Sequence, residues 1–294
     1  MANSSFQSPA PLETEQLLAE INEQLTQGTF DSKDSQRLQR MTEALADGRG
    51  MIRLGFVEAF GEIGKPAAPF LLEALAHHPN PVVRRSAAKG LAKIDEPAAI
   101  PSLIDAMLKD EDQVVKGSAA GALSRRGAPA VPALLEIIAG DDSETAKGQA
   151  IWALASIGAE ASEQLYVAFQ SEEIAVRSAV VGAIGNMASL SEDWDERFQP
   201  ILVSALKDEA IEVRLEATIA LSRLPTDFAL PNLIPLLEDT NSELLGTAIL
   251  SLGKLGDSGA LPYLEVKLAD ERVEISQRAK IAISQIKNLE ASDF

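Results

Sequence analysis

Residues 80–110 read NPVVRRSAAKGLAKIDEPAAIPSLIDAMLKD, and this stretch holds two helices. Asn80 is a capping residue type, and Pro81 suits a first helical turn, where a missing amide costs nothing. Val83, Ala87, Leu91 and Ile94 follow at spacings of 4, 4 and 3, which draws one apolar stripe along a helix. Asp95-Glu96-Pro97 stops it. A second stripe follows in Ile100, Leu103, Ile104, Met107 and Leu108, and the polar run Asp110-Glu111-Asp112 leads out of it. The unit is an antiparallel pair of helices, A and B. Neither buries its apolar face alone, so each pair needs neighbours to stack on.

The unit recurs. Arg53, Arg84, Lys116, Lys147, Arg177, Arg214, Leu245 and Ser276 share one register, at intervals of 31, 32, 31, 30, 37, 31 and 31 residues. Three residues on stand Phe56, Ala87, Ala119, Ala150, Val180, Ala217, Ala248 and Ala279. Seven on stand Phe60, Leu91, Leu123, Leu154, Ile184, Leu221, Leu252 and Ile283. A period of this size predicts an all-α solenoid of about seven helix pairs, an architecture that binds more often than it transforms. Residues 11–46 fall outside the period and predict an N-terminal helical cap, with helices at Leu12–Gln27 and Lys33–Ala46. Residues 47–290 form the array, and the polar residues 1–10 read as disordered.

Composition narrows the function. Of 294 residues, 46% are hydrophobic but only 4% aromatic, which suits thin, closely packed helices rather than a sheet. The formal net charge of −18 repels nucleic acid and anionic lipid. With no cysteine there is no disulfide, thiolate metal ligand or thiol nucleophile. The N-terminus lacks the basic and apolar regions of a secretory signal, and no apolar run matches a membrane span. These features point to a cytoplasmic protein. His77-His78 is the only histidine pair, and adjacent residues face different sides of a helix, so a surface or capping role is the reading. No phosphate-binding glycine loop, catalytic constellation or metal set stands out.

The register residue is Arg or Lys in six of eight copies, with Asn80, Asp112, Asp142, Glu173 or Glu209 four or five places before it. A ladder of ion pairs or carbonyl contacts fits this recurrence, and a basic ligand stripe is the alternative. Binding is sought where the period breaks. Residues 84–126 hold eight basic against six acidic residues, so the rest of the chain carries −20. Arg84, Arg85, Lys89 and Lys93 share one A helix. Arg125 and Arg126 follow in the next, and Arg126 stands where Ile or Leu is usual. The 37-residue interval places its extra residues in 188–199, ASLSEDWDERFQ, between helices A and B. Trp194 and Phe198 make that insertion a second candidate, because aromatic side chains dominate interface energetics. The candidate partner-binding residues are therefore Arg84, Arg85, Lys89, Lys93, Arg125, Arg126, Trp194 and Phe198.

The strings NPVVRRSAAKGLAKIDEPAAIPSLIDAML, DQVVKGSAAGALSRRGAPAVPALLEII and IEVRLEATIALSRLPTDFALPNLIPLL resemble the short HEAT-like repeats of the cyanobacterial phycobilisome-lyase family. The resemblance covers roughly residues 47–290. Within the family, GRGMIRLGFVEAFGEIG and ALAHHPNPVVRR look most like the HEAT-repeat partners of an A-type iron–sulfur assembly protein. The resemblance implies a non-enzymatic protein-binding scaffold for such a protein, with no cofactor of its own. Its alternative is a phycobilin lyase, or lyase subunit, that attaches phycocyanobilin or a similar bilin to phycobiliprotein cysteines. A third role it implies is an adaptor in phycobilisome turnover. It also implies that the B helices line a concave face, with Glu73, Asp105, Glu136, Gln164, Lys207, Glu238 and Glu265 among the polar positions.

Overall fold

The computed structural model describes residues 11–190 and 196–292, and every regular element in them is helical. Two helices open the chain, α1 (Pro11–Gln27) and α2 (Ser35–Ala44). The pairs of the repeat follow: α3 (Gly50–Ile63) with α4 (Ala68–His77), α5 (Pro81–Leu91) with α6 (Ala99–Lys109), and α7 (Gln113–Arg126) with α8 (Val131–Ala139). Next come α9 (Glu144–Ile157) with α10 (Ser162–Ala168) and α11 (Ile174–Leu190) with α12 (Gln199–Ala205). The last pairs are α13 (Ile211–Leu221) with α14 (Thr226–Leu233) and α15 (Ser242–Leu255) with α16 (Leu261–Lys267). The single helix α17 (Val273–Ser292) closes the described chain. Each odd-numbered helix from α3 onward is an A helix, so the described residues hold seven pairs and one further A helix.

Two compact units divide the chain. One comprises Met1–Leu134 and Asp142–Ala153, the other Leu135–Asp141 and Leu154–Phe294. In the first, α1 packs on α3, α3 on α5 and α5 on α7. In the second, α11 packs on α13, α13 on α15 and α15 on α17. The register explains why. All eight residues three places after the register point, from Phe56 to Ala279, are completely buried. So are those seven places after it, except Ile283 at 8% exposure. Small residues at the first of these rows let neighbouring A helices approach closely. Gly253 shows how closely: a Cβ there would stand 2.7 Å from the Ala282 Cα on the next A helix.

Turns between A and B follow a rule of backbone sterics. α3, α7 and α15 end on Gly64, Gly127 and Gly256, with φ of 73°, 66° and 81°, a region where a Cβ is strained. A short 3₁₀ turn then starts the B helix, at Lys65–Ala67, Ala128–Ala130 and Ser258–Ala260. In the long interval the extra residues 188–190 extend α11, and Glu196–Phe198 form the equivalent 3₁₀ turn.

The basic register residues do build a ladder, but their carboxylates come from elsewhere than the sequence suggests. Asn80 and Asp112 are helix caps, accepting the Val82 amide at 2.9 Å and the Val114 amide at 2.8 Å. The pairing acid lies in the loop after the B helix, six places before the next register residue. Arg84 makes a two-pronged pair with Asp110, Nε to Oδ2 at 2.8 Å and Nη2 to Oδ1 at 2.9 Å. Its remaining nitrogen donates to the His78 and Pro79 carbonyls at 3.0 and 3.3 Å. Arg177 repeats the arrangement with Asp208 at 2.8 and 2.9 Å and with the Ser171 and Glu172 carbonyls. The same acid also folds its own loop. Asp47, Asp110, Asp208, Asp239 and Asp270 each accept the amide two residues on, at 2.7–2.9 Å. His78 takes this place in its loop: its Nδ1 accepts the Asn80 amide at 3.1 Å, and its Nε2 lies 3.5 Å from Glu43.

Electrostatics follows the geometry. Burial pushes the Asp110 carboxyl up, but the Arg84 guanidinium and the Asp112 amide outweigh it and hold the group below its ordinary range. The Arg177 guanidinium likewise holds Asp208 below that range against its burial. Both arginines are correspondingly more basic than usual, chiefly through these same carboxylates.

Candidate functional site

A groove of about 560 Å³ opens on the A-helix face of the first unit. α3 contributes Leu54, Val57 and Glu58; α5 contributes Lys89 and the turn after it Ala92 and Lys93; α7 contributes Val114, Gly117, Ser118, Gly121, Ala122 and Arg125. Its floor is apolar because these positions lie beside the buried rows rather than opposite them. Its depth comes from α7, where a Cβ on Gly117 would meet nothing within 4 Å. Leu54 and Val114 stay about half exposed on its walls.

The groove's rim is cationic for a reason visible in the helices themselves. Neither Pro81–Leu91 nor Gln113–Arg126 contains an acidic residue. The acids of this stretch sit in the turn at Asp95-Glu96, on the B helix and in the ladder loop. Lys93 Nζ pairs with Glu58 at 2.8 Å, which fixes one cation across the groove. Lys89 and Arg125 are exposed on the same rim. A cleft of this size with an apolar floor and two or three placed cations suits a ligand with an apolar body and carboxylates.

The structure separates the candidate residues. Lys89, Lys93 and Arg125 come together in the groove. Arg85, one turn before Lys89, does not line it. Arg84 is withdrawn from any docking surface: it is 7% exposed and its guanidinium is spent on Asp110 and two carbonyls. Arg126 is also occupied within the fold. It donates to the Ile94 and Ala92 carbonyls, where α5 ends at Leu91 and leaves them without helical partners. Burial lowers the basicity of Arg126 below the usual arginine value. Phe198 is a correction too. It is 3% exposed, in the position that buried Ala67, Ala130 and Ala260 hold in other repeats, so it fills core space. Trp194 lies outside the described residues.

Sequence reasoning missed Trp152. It stands on α9 five places after the register residue Lys147, in the row of Glu58, Lys89 and Gly121, and is 54% exposed. Plotting that row, rather than the buried ones, would have found it. Among the described residues no group of three or more His, Cys, Asp or Glu could hold a metal ion. No helix among them is long and apolar enough to cross a membrane.

A family model described as HEAT repeats matches residues 38–124 and 199–284. The chain is 34% identical over 209 residues to the bilin biosynthesis protein MpeU of Synechococcus sp. (strain WH8020), spanning 71% of this chain and 70% of that one. It is 32% identical over 90 residues to the uncharacterized phycocyanin operon protein Z of Pseudanabaena tenuis (strain PCC 7409), across 30% of this chain and 44% of that protein. Among solved structures, Kap121p bound to Nup53p aligns with a TM-score of 0.53 at 16% identity, over 95% of this chain and 38% of that one. That likeness concerns the fold alone.

Proposed function

The chain belongs to the HEAT-repeat family and to the kin of the bilin biosynthesis protein MpeU, and on that premise we propose that it acts in the attachment of bilins to phycobiliproteins, as a lyase or lyase subunit. The observation that carries this reading is the groove between α3, α5 and α7. An open-chain bilin is a long conjugated body with two propionates. The apolar floor suits the body, and Lys89 and Arg125 suit the carboxylates, on a stretch that is net basic within a chain of charge −18.

The chain supplies binding and orientation rather than a nucleophile. It has no cysteine, so the thiol that adds to the bilin double bond belongs to the acceptor protein. Lys93, tied to Glu58, narrows the groove and leaves Lys89 and Arg125 as the outward cations. The relatives' names support this reading over the iron–sulfur scaffold that the sequence resemblance also implies.

The test is a reconstitution. An apo-phycobiliprotein subunit is mixed with phycocyanobilin and this protein, with and without a candidate second subunit. Covalent, zinc-fluorescent chromoprotein above the spontaneous background is expected, reduced by Lys89→Glu together with Arg125→Glu. Background-level adduct in every mixture, with no retention of bilin by the protein, would refute the proposal.

A further inference from the structure

Resting on the bilin reading, we infer that the thiol-bearing acceptor protein docks on an apolar lip of the groove, at the N-terminal ends of α3, α5 and α7, through an apolar surface edged with carboxylate. The chain has no cysteine, so the sulfur that attacks a groove-bound bilin comes from another protein. That protein has to seat against one edge of the groove, and the two edges differ in chemistry. Lys89 and Arg125 stand in the last turns of α5 and α7, with Lys93 just beyond α5, and these form the cationic edge. Leu54 and Val114 line the groove from near the starts of α3 and α7, 46% and 55% exposed. Met51, one turn before Leu54, extends this second edge and is 77% exposed.

The repeat does not require apolar side chains there. Met51, Val82 and Val114 stand two places before the register residue on α3, α5 and α7. On α13, α15 and α17 the same place holds Glu212, Glu243 and Glu274, in a first turn where the helix dipole favours an acid. The first turns of α3, α5 and α7 hold no acid. Three helices of the first unit thus forgo a favourable charge and carry apolar side chains along one edge of one groove, whereas apolar residues scattered singly would call for no explanation. The neighbouring cations set the partner's charge. Arg53 and Lys116 turn to the Asp47 and Leu108 carbonyls, and Arg84 to Asp110. Arg85 stands outside this ladder, in the row of Leu54 and Gly117, and is partly exposed. A carboxylate on the partner complements it. The lip is small, so it anchors a transient interface rather than forming the whole of it, as release of the finished product requires.

Met51→Glu tests the lip, because Met51 does not line the groove and glutamate is the residue that α13, α15 and α17 carry at the same place. Ala175→Glu makes the matching change on α11 in the second unit and serves as the control. Affinity for immobilised apo-phycocyanin subunits is read by biolayer interferometry, phycocyanobilin retention by visible absorbance, and adduct formation as a function of acceptor concentration. Met51→Glu is expected to bind acceptor about tenfold more weakly and to raise its KM by a similar factor. Its kcat and bilin retention stay unchanged, and its thermal midpoint does not fall. Ala175→Glu matches wild type throughout. If wild type captures neither subunit, or Met51→Glu binds within about twofold of wild type, the lip is refuted, while retention of bilin leaves the bilin reading standing. If wild type self-associates and Met51→Glu abolishes only that, the lip joins two copies and the acceptor assignment is overturned. If wild type retains no bilin and forms no adduct, both are refuted.

Discussion

Asp208 ties two repeats of the second unit together, and Asp208→Asn isolates what that tie contributes. The asparagine keeps an oxygen able to accept the Ala210 amide, which Asp208 binds at 2.9 Å, so the loop retains its turn. Lost is the bond from Arg177 Nε to Oδ2 at 2.8 Å, where an amide NH₂ now faces the guanidinium, and the Nη2 bond at 2.9 Å keeps only a neutral oxygen. Arg177 is 8% exposed and would hold its charge with no buried carboxylate against it. Removing one partner of a buried pair costs about 3–5 kcal/mol. Arg177 keeps its Ser171 and Glu172 carbonyls, and exposed Glu209 lies 3.8 Å away, so the lower end, about 3 kcal/mol, is expected. Arg177→Met strands Asp208 in turn. The double variant removes both charges and is expected to cost little more than the worse single, a coupling of about 2 kcal/mol. Urea unfolding of the four proteins gives these values from the midpoints. Hydrogen exchange at α11 and α13 places the loss, since a stacked array need not unfold in one step. Additive single effects, or an Asp208→Asn cost below about 0.5 kcal/mol, would refute the reasoning.

Three further outcomes follow from the same packing and charge. The folded-state pKa values of Asp110 and Asp208 are depressed, so their stabilisation is present above the unfolded value of about 3.9 and is lost as pH falls through the folded values. Thermal midpoints should therefore drop below about pH 4, and less steeply in Asp208→Asn. Gly253→Ala sets a Cβ 2.7 Å from the Ala282 backbone and should lower stability by about 1–3 kcal/mol despite its better helix propensity, as denaturant titration would register. Gly117→Leu enters open space, so it should leave stability equal or higher while weakening bilin binding, because it fills the groove.

The period made the fold legible, because the two rows it aligned are the rows that are buried from Phe56 to Ala279 and from Phe60 to Leu252. The ladder was legible only in half. Arg84 and Arg177 stood out as repeating cations, but their carboxylates lie 26 and 31 residues further on, in the loop that leaves the B helix of the same pair. The nearer acids were helix caps, and local spacing could not tell a cap from a partner. Arg126 looked like a docking residue because it replaced an apolar side chain. Its reason lies in another repeat, where the turn after α5 presents the Ala92 and Ile94 carbonyls to it. The cationic stretch was visible in the charge balance, yet which of its members face outward depends on those contacts. Trp152 was passed over for Trp194 because the insertion drew attention, whereas an exposed indole in a regular helix leaves no mark on the period.

The most direct test of the account is equilibrium binding of phycocyanobilin to wild type and to Lys89→Glu/Arg125→Glu. Both side chains are exposed on the groove rim, so both proteins should have the same stability. The account predicts saturable binding by wild type and a loss of at least tenfold in the double variant, while Lys254→Glu, on α15 in the second unit, leaves affinity unchanged. Equal affinity in all three proteins would contradict the assignment of the groove.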